Sequence, residues 1–280
     1  MAALELIDET FNENRTESYE LSVQFRTDGF AFAIKDAERN TFIALVDFPL
    51  SVPITDHDSE WPAAIAALTA AYPYLSRRYK RVSVWMHNAP CTFVPEPLFA
   101  PDNAKALLEL VHPVPPTYEL HLSPLQLNGQ SAIEIAGIPS ALAAEWLRLQ
   151  PQSQFVATMG HLAFRGYVCP WDTYLMLELD GESCMNAALF SAGKPQAINT
   201  FTIKSPADAL YYAIGFARSL NADVAQLPVK IVGYHPQEAD IVALMQRYFR
   251  EVATGIIYNH ALFTYRLNKQ GSRYFSLFNR

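Results

Sequence analysis

The sequence has few glycines, few cysteines and no long apolar run, and each shortage excludes a class of protein. Its 11 glycines stand singly along the 280 residues, so the chain has neither a Gly-Gly pair nor a G-x-x-x-x-G-K-[ST] phosphate loop. The three cysteines are an odd number in no C-x-x-C arrangement, which indicates reduced thiols rather than a disulfide framework. No apolar stretch approaches the roughly 20 residues that a membrane helix needs.

The N-terminus also lacks a targeting signal. Residues 1–15 are acidic and contain no basic region followed by an apolar stretch, which excludes a secretory signal peptide. Half of the chain is hydrophobic and 18% is charged, as in ordinary globular proteins. These features predict a globular protein of the cytoplasm with no membrane insertion.

Basic charge is scarce, except at the C-terminus. The net charge of −7 disfavours nucleic acid as a partner, because a phosphate backbone requires a basic face. Residues 261–280 carry four cations, no acid and five aromatic residues. Two interpretations stay open for this segment: a surface on which a single strand of nucleic acid stacks, or a terminal β-strand followed by an amphipathic tail that docks on its own domain or on a partner.

The first half of the chain is predicted to open with strands after a flexible polar arm, residues 1–16. An Asp28-Gly29 turn between alternating apolar runs indicates a β-hairpin. A helix follows, with Ser59 as its predicted cap and Pro73 at its end. The predicted strands are Tyr19–Arg26, Phe30–Ile34, Thr41–Phe48 and, after the helix, Val82–Met86.

The second half repeats this order around an Asp180-Gly181 turn. Ser205-Pro206 is a favourable helix start, and a further helix is predicted over 237–252. The predicted strands are Thr173–Leu179, Ser183–Phe190, Ala197–Ile203 and Val229–Tyr234. The duplication rests on element order, because no residue-level repeat extends beyond the two Asp-Gly turns.

Between the halves, the pattern predicts two strands, a helix over Ser140–Leu149 and a hairpin over 154–169. The two strands are Tyr118–Leu122 and Ser131–Ile135. The half boundary is placed near Pro170. The expected division is an arm over 1–16, a first half over 17–170, a second half over 171–267 and a tail over 268–280.

Two segments carry a resemblance to a known family. The opening YELSVQFRTDGFAFAI and the stretch CTFVPEPLFAPDNAKALLELVHPV, residues 91–114, are similar to a bacterial family known as domain of unknown function 3822. The resemblance extends from about Tyr19 to the early 260s. It implies an α/β protein with an actin-like ATPase (ribonuclease H-like) fold, two duplicated β-β-β-α-β-α halves and no assigned catalytic residues.

An actin-like fold raises the question of ATP and Mg²⁺, which would be held by the hairpin at the start of each half. The residues in these places are Asp28 and Gly29 in the first half and Asp180 and Gly181 in the second. Both turns are explained as ordinary hairpins, and the bulky Phe30 follows the first. We therefore expect a degenerate nucleotide site, with cofactor binding by these four residues kept as the alternative.

Three other groupings of reactive side chains have simpler structural explanations. Asp56-His57-Asp58 resembles a small metal cluster but is interpreted as a polar loop, and no metal site is predicted. Cys91 near His87 has two interpretations: a nucleophilic thiol activated by the imidazole, or a buried cysteine that packs as a small apolar side chain. The second is the simpler explanation. Glu178 and Asp180 lie on the same face of one strand. A pair of carboxylates can serve acid–base chemistry, but acids at the end of a strand are usually solvated, and the second interpretation is the simpler one.

The sequence thus favours a non-catalytic binding or scaffold protein with an unidentified protein partner. An ATP-dependent phosphotransferase or hydrolase using Asp180 with Asp28 is the first alternative. A nucleic-acid-associated factor acting through the basic, aromatic tail is the second. Oligomeric state is not predicted.

Overall fold

The computed structural model describes residues 4–127, 130–157, 162, 169–181, 183–255, 262–268 and 273–278. The chain divides into two compact units. The first comprises Met1–Leu125, Ser131–Gly160 and His260–Lys269, and the second comprises Gln126–Gln130, His161–Asn259 and Gln270–Arg280. Each unit is described by itself below.

The sheet of the first unit is mixed and has the order β1-β4-β3-β2-β5-β9. Strands β2, β3 and β4 pair antiparallel, whereas β5 runs parallel to β2 and β9 runs parallel to β5. The short β15 also pairs with β4. The strands are β1 (Leu4–Ile7), β2 (Tyr19–Arg26), β3 (Gly29–Asp36), β4 (Thr41–Pro49), β5 (Arg81–Met86), β9 (Gln154–Ala157) and β15 (Leu262–Phe263).

Two helices cover this sheet, α1 (Trp61–Ala71) and α3 (Ser140–Leu149). They bury an aromatic cluster in which Phe25 contacts both Trp61 and Trp146 edge to face. All three side chains are fully buried, and burial of such large apolar surfaces is the main force that holds helix and sheet together.

A small module is inserted between β5 and α3 of the first unit. Its sheet has the order β6-β8-β7, and α2 (Ala104–Glu109) packs beside it. Leu108 of α2 and Ile135 of β8 are fully buried in a separate apolar cluster. The three strands are β6 (Cys91–Pro95), β7 (Tyr118–Leu127) and β8 (Gln130–Pro139).

The second unit has the strand order β12-β11-β10-β13-β14, which repeats the order β4-β3-β2-β5-β9 of the first. Helices α4 (Pro206–Ser219) and α5 (Glu238–Met245) contribute to its main core. A third helix, α6 (Phe275–Phe278), contacts β13. The strands are β10 (Thr173–Asp180), β11 (Cys184–Ser191), β12 (Lys194–Thr202), β13 (Pro228–Tyr234) and β14 (Glu251–Thr254).

Most predicted elements are confirmed. Both Asp-Gly hairpins form, and the Ser205 hydroxyl accepts a hydrogen bond from the backbone N–H of Asp208 as a helix cap should. Helix α3 has the predicted bounds, and Pro73 follows the end of α1. Strand Gln154–Ala157 of the predicted 154–169 hairpin is present, and most of the remainder lies outside the described residues.

Four predictions are wrong. Residues 4–7 are not a flexible arm, because β1 adds to the free edge of β4 and hydrogen-bonds there. Glu60, not Ser59, precedes α1, since the Ser59 hydroxyl donates to Asp56. The helix predicted over 237–252 ends at Met245, and Glu251–Thr254 forms the fifth strand. Residues 262–267 belong to the first unit, because β15 pairs with β4.

Candidate functional site

The first hairpin is closed by ion pairs. Arg26 ends β2, and its Nε donates to Asp28 Oδ1 at 3.1 Å while its Nη2 donates to Asp47 Oδ1 on β4 at 2.7 Å. Asp28 is largely exposed, whereas the side chains of Arg26 and Asp47 are mostly buried. Burial alone would lower the pKa of Arg26, but Asp47 and Asp28 raise it overall. The guanidinium charge is therefore matched by two carboxylates at the turn.

The backbone of the first hairpin is covered by the chain that follows β4. Leu50 N–H donates to the Asp28 carbonyl at 2.9 Å, and Ile54 N–H donates to the Thr27 carbonyl at 2.7 Å. A Cβ atom on Gly29 would lie 2.6 Å from the Phe48 carbonyl oxygen. Glycine is thus required here by the close approach of β4, which is a structural reason unrelated to phosphate binding.

The second hairpin is more open. Gly181 has a φ of +76°, and a Cβ atom built on it would meet nothing within 4 Å. Its N–H, however, donates to the Tyr234 carbonyl at 3.1 Å, so this amide is engaged within the protein. Asp180 lies at the end of β10, beside Cys184 of β11 and Tyr234 of β13. The structure thus places a carboxylate and an accessible glycine together at the carboxyl ends of two parallel strands.

Glu178 lies two residues before Asp180. Its position near the end of a strand predicted a solvated side chain, but Glu178 is buried. Only 2% of Glu178 is exposed. Its carboxylate accepts from Ser276 Oγ at 2.7 Å and from Asn186 Nδ2 at 3.2 Å, and Asn186 Oδ1 accepts from Thr200 Oγ1 at 2.7 Å. A signal for this burial was present, since Glu178 interrupts an otherwise apolar strand between Leu177 and Leu179.

The four candidate cofactor residues fall in two units. Asp28 and Gly29 belong to the first, and Asp180 and Gly181 belong to the second. Within each unit the aspartate and glycine share one hairpin, as the sequence predicted.

The remaining candidates take structural roles. Asp56 accepts from the Ser59 hydroxyl and the Asp58 N–H, as a polar loop should, and hydrogen bonds from both lower the pKa of Asp56. Among the described residues no group of His, Cys, Asp and Glu could hold a metal ion. Cys91 is buried, and burial together with Glu134 raises the pKa of its thiol, which opposes a nucleophilic role.

The C-terminal tail docks on its own unit, as one of the two interpretations predicted. Tyr274, Phe275 and Phe278 are buried, so their rings are not available for base stacking. Phe263 stacks on Phe42 of β4, whereas Tyr265 is 87% exposed.

We expect the two carboxylates around Arg26 to differ in their effect on stability. Asp47→Ala removes the buried one of the two carboxylate partners of Arg26 and should cost about 2–4 kcal/mol of unfolding free energy, because Asp28 remains as the only other acid in this pairing. Asp28→Ala, the matched control, removes an exposed partner and should cost under about 1 kcal/mol. Urea denaturation of both variants measures the difference. Equal costs would contradict the pairing described for this turn.

Solved structures are similar to the chain over nearly its whole length, among them the two that follow. One is a Bacteroides thetaiotaomicron protein with actin-like ATPase fold and unknown function, with a TM-score of 0.77 and 17% identity over 88% of this chain and 94% of that chain. The other is the PilM-PilN type IV pilus biogenesis complex, with a TM-score of 0.56 and 14% identity over 92% of this chain and 96% of that chain. No curated protein sequence matches.

These neighbours and the repeated strand order define the class: the fold is that of the actin-like ATPases, an α/β fold, as predicted. The family model for the proteins of unknown function designated DUF3822 matches residues 8–252, and the chain belongs to that family. The family resemblance seen in the sequence is confirmed. None of the helices among the described residues is long and apolar enough to cross a membrane.

Proposed function

We propose that this protein is a non-catalytic binding or scaffold protein of the actin-like fold, with a degenerate nucleotide site and a protein partner. The observation that carries the proposal is the closed first hairpin. Arg26 donates a hydrogen bond to the Asp28 carboxylate, and the backbone N–H groups of Leu50 and Ile54 donate to carbonyl groups of the turn.

The chemistry of nucleotide binding explains why this closure matters. A triphosphate needs backbone N–H groups or cations that face it, and Mg²⁺ needs an accessible carboxylate. Among the described residues, Arg26 is the only cation that forms an ion pair with Asp28. Arg26 also pairs with Asp47, so its charge is already balanced. A phosphate or Mg²⁺ at this turn would have to compete with Arg26 for the Asp28 carboxylate and approach a backbone that hydrogen-bonds to Leu50 and Ile54, which opposes binding.

The alternative is an ATP-binding phosphotransferase or hydrolase of the same fold class. A specific observation favours it: the space around Gly181 is open, and Asp180 stands beside it. Against it, the Gly181 N–H already bonds to Tyr234. On this alternative the Asp180 carboxylate would bind Mg²⁺, but the Gly181 N–H would not face a phosphate because it donates to the Tyr234 carbonyl.

A protein partner is supported by the surface of the inserted module. Leu98, Leu110 and Val111 are 75%, 79% and 58% exposed, and all three lie between β6 and β7. Contiguous exposed apolar surface is typical of protein-binding sites, and Leu110 and Val111 are neighbours in the chain. One structural neighbour is a chain of a complex of two proteins, the PilM-PilN type IV pilus biogenesis complex.

Addition of Mg²⁺–ATP separates the proposal from its alternative. We expect the thermal unfolding midpoint to move by less than about 1 °C at millimolar nucleotide, because a ligand that does not bind the folded state cannot stabilise it. The same flat response is expected for Asp180→Ala and for the control Asp172→Ala, an exposed acid of the same unit. A rise of several degrees that only Asp180→Ala abolishes would establish the alternative instead.

Capture of partners by the purified protein tests the other part of the proposal. A Leu98→Ser/Leu110→Ser variant should lose proteins that the unaltered chain captures from its native cells, because both apolar contacts are removed. Tyr211→Ser, which alters a 73% exposed aromatic on the second unit, is the control and should retain them. Identical capture by all three proteins would exclude the module as the partner surface.

A further inference from the structure

The inserted module presents large apolar side chains to solvent over residues 96–111, which we call the module surface. Leu110 and Val111 follow one another at the end of α2, and Leu98 ends the short 3-10 turn Glu96–Leu98 after β6. All three are more than half exposed. Removal of such side chains from water against a partner would be favourable, in proportion to the apolar area covered.

The exposed face of α2 is divided into an apolar stripe and a charged stripe. Ala106 and Leu110, four residues apart, form the apolar stripe. Lys105 and Glu109 form the charged stripe, where the ammonium lies 3.8 Å from the carboxylate. The opposite side of the helix is buried in the core of the module. The apolar stripe therefore faces away from the chain's own core.

Leu98 and Leu110 lie near the rim of the same small core. Phe99, next to Leu98, packs against the apolar cluster that includes Val94 of β6 and Leu108 of α2. Leu110 is two residues beyond Leu108. The two exposed leucines thus stand beside members of one cluster, rather than on separate parts of the chain.

Proline stiffens the chain on both sides of these residues. Pro97 precedes Leu98, and Pro113, Pro115 and Pro116 follow shortly after Val111. Because the proline ring fixes φ, less backbone freedom remains to be lost when a partner binds. Apolar side chains on such a backbone bind with a small entropic penalty.

The module is also strongly acidic. Residues 91–139 contain five acids and one lysine, a net charge of −4 within a chain whose net charge is −7. Glu134 is buried, whereas Glu96, Asp102 and Glu109 are exposed. Each of these three lies within four residues of one of the two exposed leucines. A partner therefore meets apolar side chains and negative charge together.

This combination decides which class of partner fits the module surface. Nucleic acid and anionic lipid both present phosphate and require a basic face, so the exposed carboxylates oppose both. A protein segment that carries lysine or arginine beside an apolar stripe complements both features of the surface. An amphipathic helix arranges its side chains in this way.

We propose that the module surface binds a basic amphipathic helix of a partner protein. The apolar side chains of that helix cover the exposed leucines and Val111, and its cations pair with Glu96, Asp102 and Glu109. The exposed apolar side chains are the source of the affinity, and the acids select the sign of the partner's charge. This inference rests on the proposed function, because it names the partner class of the surface proposed there.

Two synthetic helical peptides test the partner class. One places leucine and lysine in an amphipathic helical pattern, and the other carries glutamate in place of every lysine. We expect the lysine peptide to bind the full-length protein one to one by fluorescence anisotropy. Its affinity should fall at least about tenfold between about 0.05 M and about 0.5 M NaCl, because salt screens exposed charges. Equal binding of both peptides, or an affinity that salt leaves unchanged, would overturn the proposal.

Variants of the module place the binding on its surface. Glu96→Gln/Asp102→Asn, which keeps the shape of both side chains, should weaken the lysine peptide about three- to thirtyfold, as expected for two exposed ion pairs. Leu98→Ser/Leu110→Ser should weaken it at least about tenfold, because two apolar contacts are removed. Unchanged affinity in both variants would show that the peptide binds elsewhere and that the proposal is wrong.

A variant of the second unit and a lipid probe are the controls. Asp172→Asn/Asp223→Asn removes two exposed acids and changes the net charge by the same amount, so the affinity should stay within about twofold. A loss as large as that of the module variants would mean attraction by net charge alone and would contradict the proposal. Phosphatidylserine vesicles should not bind, and vesicle binding that Leu98→Ser/Leu110→Ser abolishes would identify a lipid surface instead.

The peptide experiment and the capture experiment fail in different ways. If Leu98→Ser/Leu110→Ser loses captured proteins but the lysine peptide does not bind, the module is a partner surface and the basic partner class is wrong. If capture is unchanged and the peptide does not bind, the partner surface itself is excluded.

Discussion

Replacement of Gly233 by alanine should strongly destabilise the second unit. Gly233 lies in β13 with a φ of +86°, which side chains other than glycine rarely adopt. A Cβ atom there would stand 2.1 Å from the carbonyl oxygen of Leu179 in the paired strand β10. Backbone strain of about 1–3 kcal/mol and overpacking of about 1–3 kcal/mol give an expected loss of about 2–6 kcal/mol.

Gly215→Ala is the matched control for this prediction. Gly215 is exposed within α4, and a Cβ atom there would meet nothing within 4 Å. Alanine should therefore stabilise the helix by about 0.5–1 kcal/mol. Calorimetry should give opposite shifts, with a fall of roughly 4–24 °C for Gly233→Ala and a rise of roughly 1–4 °C for Gly215→Ala. Equal shifts of one sign would contradict the backbone geometry of β13.

The hairpins were predictable because their determinants are local. Alternating apolar residues and an Asp-Gly pair within a few positions specify a turn without any information from distant parts of the chain. The same holds for α4, whose cap Ser205 and following proline are adjacent in sequence. The repeated element order followed from these local signals, whereas the actin-like fold class was implied by the resemblance to the family.

The elements that were predicted wrongly depend on distant partners. Strand β1 is ordered because β4 offers a free edge about 40 residues later, as in the pair Leu4 and Asp47. Residues 251–254 become a strand because β13 lies beside them, although their pattern continues the helical stripe of α5. Tertiary pairing outweighs local propensity at such positions.

The candidate site was predicted in part for the same reason. Asp28 and Asp180 were found because each stands next to the glycine of its turn. The Arg26–Asp47 pair, which closes the first hairpin, joins residues of different strands that no sequence spacing brings together. The burial of Glu178 likewise depends on Ser276, which is 98 residues away.

Trp146→Ala should severely destabilise the first unit. The Trp146 side chain of α3 is fully buried, lies 5.2 Å from the Phe25 ring between centroids, and donates from Nε1 to Ser153 Oγ at 2.9 Å. Truncation leaves a cavity the size of an indole ring, with an expected cost of about 3–5 kcal/mol. Urea denaturation measures this loss, and Tyr265→Ala, at an 87% exposed aromatic of the same unit, is the control.

The comparison of these two aromatic residues tests where the stability of the first unit originates. The Tyr265 side chain is mostly exposed and buries little apolar surface, so Tyr265→Ala should change the unfolding free energy by less than about 0.5 kcal/mol. Trp146 joins α3 to the same cluster that Trp61 of α1 occupies, through the shared Phe25 ring. If both helices depend on that ring, Phe25→Ala combined with Trp146→Ala should cost less than the sum of the two single changes, because the second truncation enlarges a cavity that already exists.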